Sequence, residues 1–192
     1  HRMADYIYEK LTGEKGIFST RIAYVTKNAG RYTLLVADAD GENAQAALGS
    51  PEPIISPAWS PTGAHLAYVS FESRKPVIYS HEIATGRRRL LANFKGSNSA
   101  PAWSPDGKSL LATLTLDGRS QLYSIDLSTG SHTRLTQSGS IDTEPVWDTA
   151  GKNIYFVSDR GGAPQIYRMG ARGGQADRVS FSGSYNTPPA TS

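Results

Sequence analysis

The chain has 192 residues, 38% hydrophobic and 19% charged, with 19 glycines, 11 prolines and no cysteine. That is enough apolar material for one ordinary core, and it excludes disulfides, thiolate metal sites and a cysteine nucleophile. The 20 Lys and Arg against 17 Asp and Glu leave a net charge of only +3, too dilute for a nucleic-acid surface, and no apolar run reaches the ~18 residues of a membrane-spanning helix.

His1 is not an initiator methionine, so a preceding segment of the natural protein is expected. Met3, Ile7 and Leu11 fall at i, i+4 and i+8. They predict a short amphipathic helix that stops at Gly13, and residues 1–14 read as the tail of a preceding domain. From residue 15 to 192 the pattern changes to short strands. "RIAYVTKN" (21–28) and "TLLVADA" (33–39) come first. Then a unit repeats: "PAWSPTG" (57–63), "PAWSPDG" (101–107) and "PVWDTAG" (145–151), with Trp59, Trp103 and Trp147 each 44 residues apart.

The rest of the unit keeps step. "HLAYVSFE" (65–72), "SLLATLTL" (109–116) and "NIYFVSDR" (153–160) follow the tryptophans. "VIYSHEI" (77–83), "QLYSIDL" (121–127) and "QIYRMGA" (165–171) form a second set, and "RRRLLANF", "HTRLTQS" and "ADRVSFS" a third. These runs are rich in Val, Ile, Leu, Tyr and Thr and are bounded by Gly, Pro, Asp and Ser, as half-buried strands are. With the short P-x-W-S strand they make four antiparallel strands per 44 residues, the period of a β-propeller blade.

In "WSPDG" proline pre-sets the turn, Asp bonds its own backbone and Gly accepts positive φ. The indoles read as wedges between neighbouring blades; a fully buried one would cost about 3–5 kcal/mol to truncate. The first unit lacks the signature in "KGIFST" and is expected to lack its innermost strand. A fourth unit begins at "NTPPATS", with Thr191 in place of tryptophan.

No catalytic constellation is visible. His65, His81 and His132 sit in blade strands or at their edges, without metal spacing, and read as surface or edge histidines. "GKS" at 107–109 opens a strand and lacks the upstream glycine of a P-loop, and no G-x-S-x-G elbow occurs. Asp40, Asp106, Asp117, Asp126 and Asp159 stand in turns or at strand ends, where backbone bonding accounts for them. The run Arg87–Arg89 reads as a solvated strand start. No cofactor or metal is implied, and the default is a partner-binding surface on loops carried by rigid strands.

The helix-to-blade run "HRMADYIYEKLTGEKGIFSTRIAYV", with "SPAWSPTGAHLAYVSFES", "APAWSPDGKSL", "HTRLT", "DTEPVW" and "FVSDRGGAPQIYRM", resembles the TolB family of the Tol–Pal system. The resemblance covers essentially the whole chain. It implies an all-β, partial six-bladed propeller over residues 15–192, with 1–14 ending an N-terminal α/β domain. It implies a non-enzymatic periplasmic protein that binds the lipoprotein Pal, supports outer-membrane integrity and is exploited by colicins that imitate Pal.

In that family the loops entering the P-x-W strands receive Pal. Here they correspond to Ser97, Asn98, Ala100 and Pro101, and to Thr143, Glu144 and Pro145, with Ser56-Pro57 and Thr187-Pro188 as weaker equivalents. Ser97 departs from the family, where histidine is common. Ordinary turn chemistry accounts for the same residues equally well. On this reading, deleting the 97–101 loop would abolish Pal binding and leave the blades folded.

The alternative is the gating propeller of a prolyl-oligopeptidase-like serine peptidase. Three blades alone would leave two blade edges exposed, so either self-pairing of two half-propellers or a longer chain is expected.

Overall fold

The computed structural model describes residues 2–13, 20–183 and 186. It divides into two compact units between Ile54 and Ile55.

The first unit opens with helix α1 (Arg2–Thr12). Gly13 closes it, its amide donating to the Glu9 carbonyl at 2.9 Å and its φ of 75° in the left-handed region suited to glycine. Met3, Ile7 and Leu11 are exposed. Strands β1 (Arg21–Asn28), β2 (Arg31–Asp38) and β3 (Gln45–Ser50) then form an antiparallel meander, with Arg21 opposite Asp38 and Asn28 opposite Arg31. Strand β3, "QAALGS", escapes sequence reading because it carries no β-branched or aromatic residue. Three strands make this sheet among the described residues, and "KGIFST" falls almost wholly outside them.

The second unit holds three four-stranded antiparallel sheets. They are β4 (Ile54–Trp59), β5 (His65–Ser70), β6 (Val77–Glu82) and β7 (Arg88–Ala92); β8 (Asn98–Trp103), β9 (Ser109–Leu114), β10 (Gln121–Asp126) and β11 (His132–Arg134); and β12 (Asp142–Trp147), β13 (Asn153–Ser158), β14 (Gln165–Gly170) and β15 (Ala176–Arg178). Each sheet runs in simple chain order, as a propeller blade does. "NTPPATS" lies outside the described residues apart from Asn186.

Strand alternation explains why β9 reads as a nearly unbroken apolar run. Leu110, Ala112 and Leu114 face one way, onto Ala67, Val69, Ile78 and Ala92 of the preceding blade. Leu111 faces the other, joining Ile154, Phe156, Tyr167 and Met169 of the next. Both faces of the strand are covered, so both are mainly apolar, with Thr113 on the Leu111 side the buried exception.

The W-S-P-x-G turns fold as expected. The Gly107 amide donates to the Ser104 carbonyl at 2.9 Å, and Asp106 Oδ1 accepts from the Lys108 amide at 3.0 Å. A Cβ on Gly151 would lie 3.6 Å from the Pro105 ring, so successive turns stack from blade to blade. Asp126 caps its own turn through the Ser128 and Thr129 amides. The Ser128 hydroxyl above all, with those amide bonds and the Thr129 hydroxyl, holds its carboxyl down at about 2.

The tryptophans are half-buried, not fully buried. Trp103 packs on the core between the second and third sheets. Its Nε1 donates to the Ala58 carbonyl of the neighbouring inner strand at 3.1 Å. The indole is a wedge with a hydrogen-bonded tip, and truncating it costs less than the ~3–5 kcal/mol of a fully enclosed aromatic.

The Arg87–Arg89 run is exposed at the start of β7, and strand alternation gives its members different partners. Arg88 pairs with Glu72 at 2.7 Å, donates to the Tyr68 hydroxyl at 2.7 Å and lies 4.4 Å from the Tyr79 ring centroid. Arg89 reaches the Leu127 carbonyl of the next blade at 2.6 Å.

His81 is not at the surface; it is only 3% exposed. Burial and, secondarily, Arg88 opposite it on β7 hold its pKa below the ordinary value. The unfolded chain takes up this proton near pH 6.5 and the folded chain does not. The stability present above that pH is therefore lost as pH falls toward the folded value. A fall in Tm between about pH 7.5 and 5.5 is expected, and His81→Gln should make it shallower, measured by thermal unfolding across that range.

Candidate partner-binding cleft

The inner strands β4, β8 and β12 share a feature that sets their surface. Ser56, Ala100 and Glu144, spaced 44 apart, all take left-handed backbone, with φ of 53°, 49° and 52°. Each precedes a proline, where steric crowding favours extended backbone, so each position is strained. The strand pairing slips at two of these points, between Ser99 and Ala102 and between Thr143 and Val146. These are β-bulges, devices that bend a strand and re-aim its side chains.

The residues expected as loops are thus largely strand. Asn98–Trp103 is β8 and Asp142–Trp147 is β12, and Ser97 alone precedes its strand. The expectation for a 97–101 deletion is corrected accordingly, since it would remove most of an inner strand and break the blade.

The three left-handed positions line a single concavity of about 640 Å³. Its walls are the residue–proline pairs Ser56-Pro57, Ala100-Pro101 and Glu144-Pro145, together with Trp59, Trp103 and Trp147. The lining is apolar save for few groups. Glu144 is half-buried, and burial alone raises its carboxyl above the ordinary value. No hydrogen bond or ion pair to that carboxylate is found among the described residues. The site is therefore an apolar, preformed hollow carrying an uncompensated acid.

The remaining expected residues divide in two. Thr143 is half-buried on the same strand as Glu144, its hydroxyl 3.4 Å from that of Thr113. Ser97 is half-buried, its amide held by Thr115 Oγ1 at 2.7 Å. Asn98 is completely buried. Its Oδ1 accepts from the Phe94 amide at 2.8 Å, and its Nδ2 donates to the carbonyls of Phe94, Gly96 and Pro76. It shapes the entry to β8 from inside and offers nothing outward. Thr187-Pro188 lies outside the described residues.

Two components escaped the sequence reading. One is the left-handed triplet itself, which shows no common residue type beyond the following proline. The other is the brace at Asn98, Asp142 and Asn186, again at 44-residue spacing. Their amides bond the carbonyls of Pro76, Ser120 and Pro164. Asp142 is fully buried, accepting from Ser138 Oγ at 2.6 Å and pairing with Arg160 at 2.8 Å. The repeated Asx position was the available signal.

A family model described as "TolB beta propeller domain" matches residues 8–192. A Tol-Pal system protein TolB from Polaromonas naphthalenivorans is 82% identical over 100 residues, covering 52% of this chain and 23% of that protein. The crystal structure of TolB from Acinetobacter baumannii superposes with a TM-score of 0.90 at 47% identity, over 97% of this chain and 48% of that one. The chain thus spans about half the length of that structure. A puromycin-hydrolyzing peptidase of Mycobacterium tuberculosis aligns over 90% of this chain and 29% of its own at a TM-score of 0.65 and 17% identity, a likeness of fold alone.

Proposed function

The chain belongs to the TolB β-propeller family, and on that premise we propose that it acts by binding, as a periplasmic component of the Tol–Pal system without enzymatic activity. Its partner is the lipoprotein Pal, received in the hollow of the inner strands, and colicin segments that imitate Pal compete for the same place. Through that contact the protein supports outer-membrane integrity. In this reading residues 1–14 end a preceding α/β domain and the rest is propeller.

One observation carries the proposal. Three strained left-handed positions, Ser56, Ala100 and Glu144, stand at the rim of an apolar hollow, with the Glu144 carboxylate half-buried and uncompensated. Strain and a desolvated acid lower stability and are retained where they serve recognition. Ala100, Pro101, Thr143, Glu144 and Pro145 contact the partner in this arrangement. Ser97 stands at the edge, and Asn98 acts by positioning β8.

The test is Pal affinity of Glu144 variants. Glu144→Arg should weaken Pal binding at least ~10-fold, since reversing an interfacial charge leaves like charges or unpaired groups buried. Glu144→Gln should weaken it less and raise Tm at neutral pH, because the charged form is what burial disfavours. Unaltered Pal affinity in a folded Glu144→Arg protein would refute the assignment.

A further inference from the structure

Between the third and fourth sheets lies a second cavity, of about 600 Å³, which shares no residue with the inner-strand hollow. Three arginines line it, Arg134, Arg160 and Arg172, beside Thr136, Ser138 and Gln175, and no carboxylate does. The repeat provides an internal control for what the architecture requires. One period earlier the same three positions hold Leu90, Leu116 and Ser128. A blade junction therefore folds without cations at the positions of Arg160 and Arg172; Arg134 belongs to the repeat, since Arg178 stands one period later and likewise donates Nε to a backbone carbonyl, at 2.6 Å.

The guanidinium groups are held in place with donors to spare. Arg134 uses Nε on the Thr136 carbonyl at 2.7 Å and Nη1 on Asp117 at 2.8 Å. Arg160 uses Nε on Ser158 Oγ at 3.0 Å and Nη2 on Asp142 at 2.8 Å. The Phe156 and Tyr167 rings lie 5.3 and 5.0 Å from its guanidinium carbon. Each keeps N–H groups uncommitted, from the five a guanidinium carries. Arg172 is exposed and makes no ion pair among the described residues. Its turn is nonetheless seated by the next residue: a Cβ on Gly173, φ 85°, would lie 2.7 Å from the Leu135 carbonyl oxygen. Only glycine permits that approach, which presses the Arg172 turn against the neighbouring blade.

We propose that this cavity is an anion site for a phosphate monoester the size of a glycerol or sugar phosphate. Guanidinium forks arriving from three elements match a tetrahedral oxyanion with three free oxygens better than a planar carboxylate with two. The volume leaves room for the alcohol portion among Thr136, Ser138 and Gln175.

Calorimetric titration with glycerol 3-phosphate at low ionic strength tests this. Saturable one-to-one binding is expected, with none for glycerol. Arg172→Ala should weaken it ~10-fold or more, the effect of losing a charge-assisted hydrogen bond. Arg87→Ala, an exposed cation outside the cavity, should leave it unchanged. Absence of saturable binding, equal binding by Arg172→Ala, or an equal loss in Arg87→Ala would overturn the proposal. Vesicles of phosphatidic acid in phosphatidylcholine separate the sources. Capture that needs Arg172 and is competed by glycerol 3-phosphate assigns a lipid headgroup, whereas binding of the free ester without capture assigns a soluble one; both uphold the site.

Discussion

Replacing Phe156 by alanine is expected to lower the unfolding free energy by about 3–5 kcal/mol, the range for a fully buried aromatic. Phe156 is 0% exposed and sits where the third and fourth sheets share one core, among Leu111, Leu122, Ile154 and Met169. Its ring lies 6.1 Å from that of Tyr167 and under the Arg160 guanidinium. Truncation opens a cavity on both sides of the blade junction and removes the platform on which Arg160 rests. Against a total stability of about 5–15 kcal/mol, that is a large fraction, readable as a shift in the urea midpoint. Phe181, 76% exposed, supplies the contrast, and its alanine variant should stay within about 0.5 kcal/mol of the parent. A Phe156→Ala cost near that of Phe181→Ala would mean that the blades do not share a core.

The second large effect is expected at Asp142. Its alanine variant leaves Arg160 without its carboxylate and Ser138 Oγ with only its longer bond to the Ser140 carbonyl, 3.3 Å, beside a fully buried position. A cost of about 2–3 kcal/mol is expected. That is less than the ~3–5 of a wholly buried pair, because the Arg160 side chain keeps 25% of its exposure. The repeat points to the milder substitution. The equivalent positions carry Asn98 and Asn186, so Asp142→Asn should cost no more than about half as much, keeping an acceptor for Ser138 while losing the ion pair. Equal costs for the two variants in chemical unfolding would show that the ion pair, not the brace, sets the stability.

Much of the blade architecture was legible because it is written in short-range terms. The strand starts at His65, Ser109 and Asn153 appear in the sequence as runs of β-formers after a turn glycine, and they fold there. The W-S-P-x-G turn is a four-residue event, and proline, aspartate and glycine do in it what their chemistry requires. The candidate site was less legible. A left-handed residue before proline contradicts local preference, so Ser56, Ala100 and Glu144 look like ordinary loop residues until the folded inner strands hold them there. Asn98 is expected as a contact from the family resemblance alone, and the fold instead buries it, turning its side chain inward onto the backbone. His81 was misplaced for a related reason, since a strand between two neighbours buries both faces whatever its residues. The arginine cavity was invisible because its members come from three hairpins that only the packing of one blade on the next brings together.

Hydrogen–deuterium exchange of the protein with and without Pal is the most direct measurement of the central claim. New protection on Pal addition should concentrate at the bulges of β8 and β12, in peptides covering 97–103 and 142–147, and leave 132–138 and 170–176 unchanged. Protection confined to the second pair of segments, or spread nowhere near the inner strands, would contradict it.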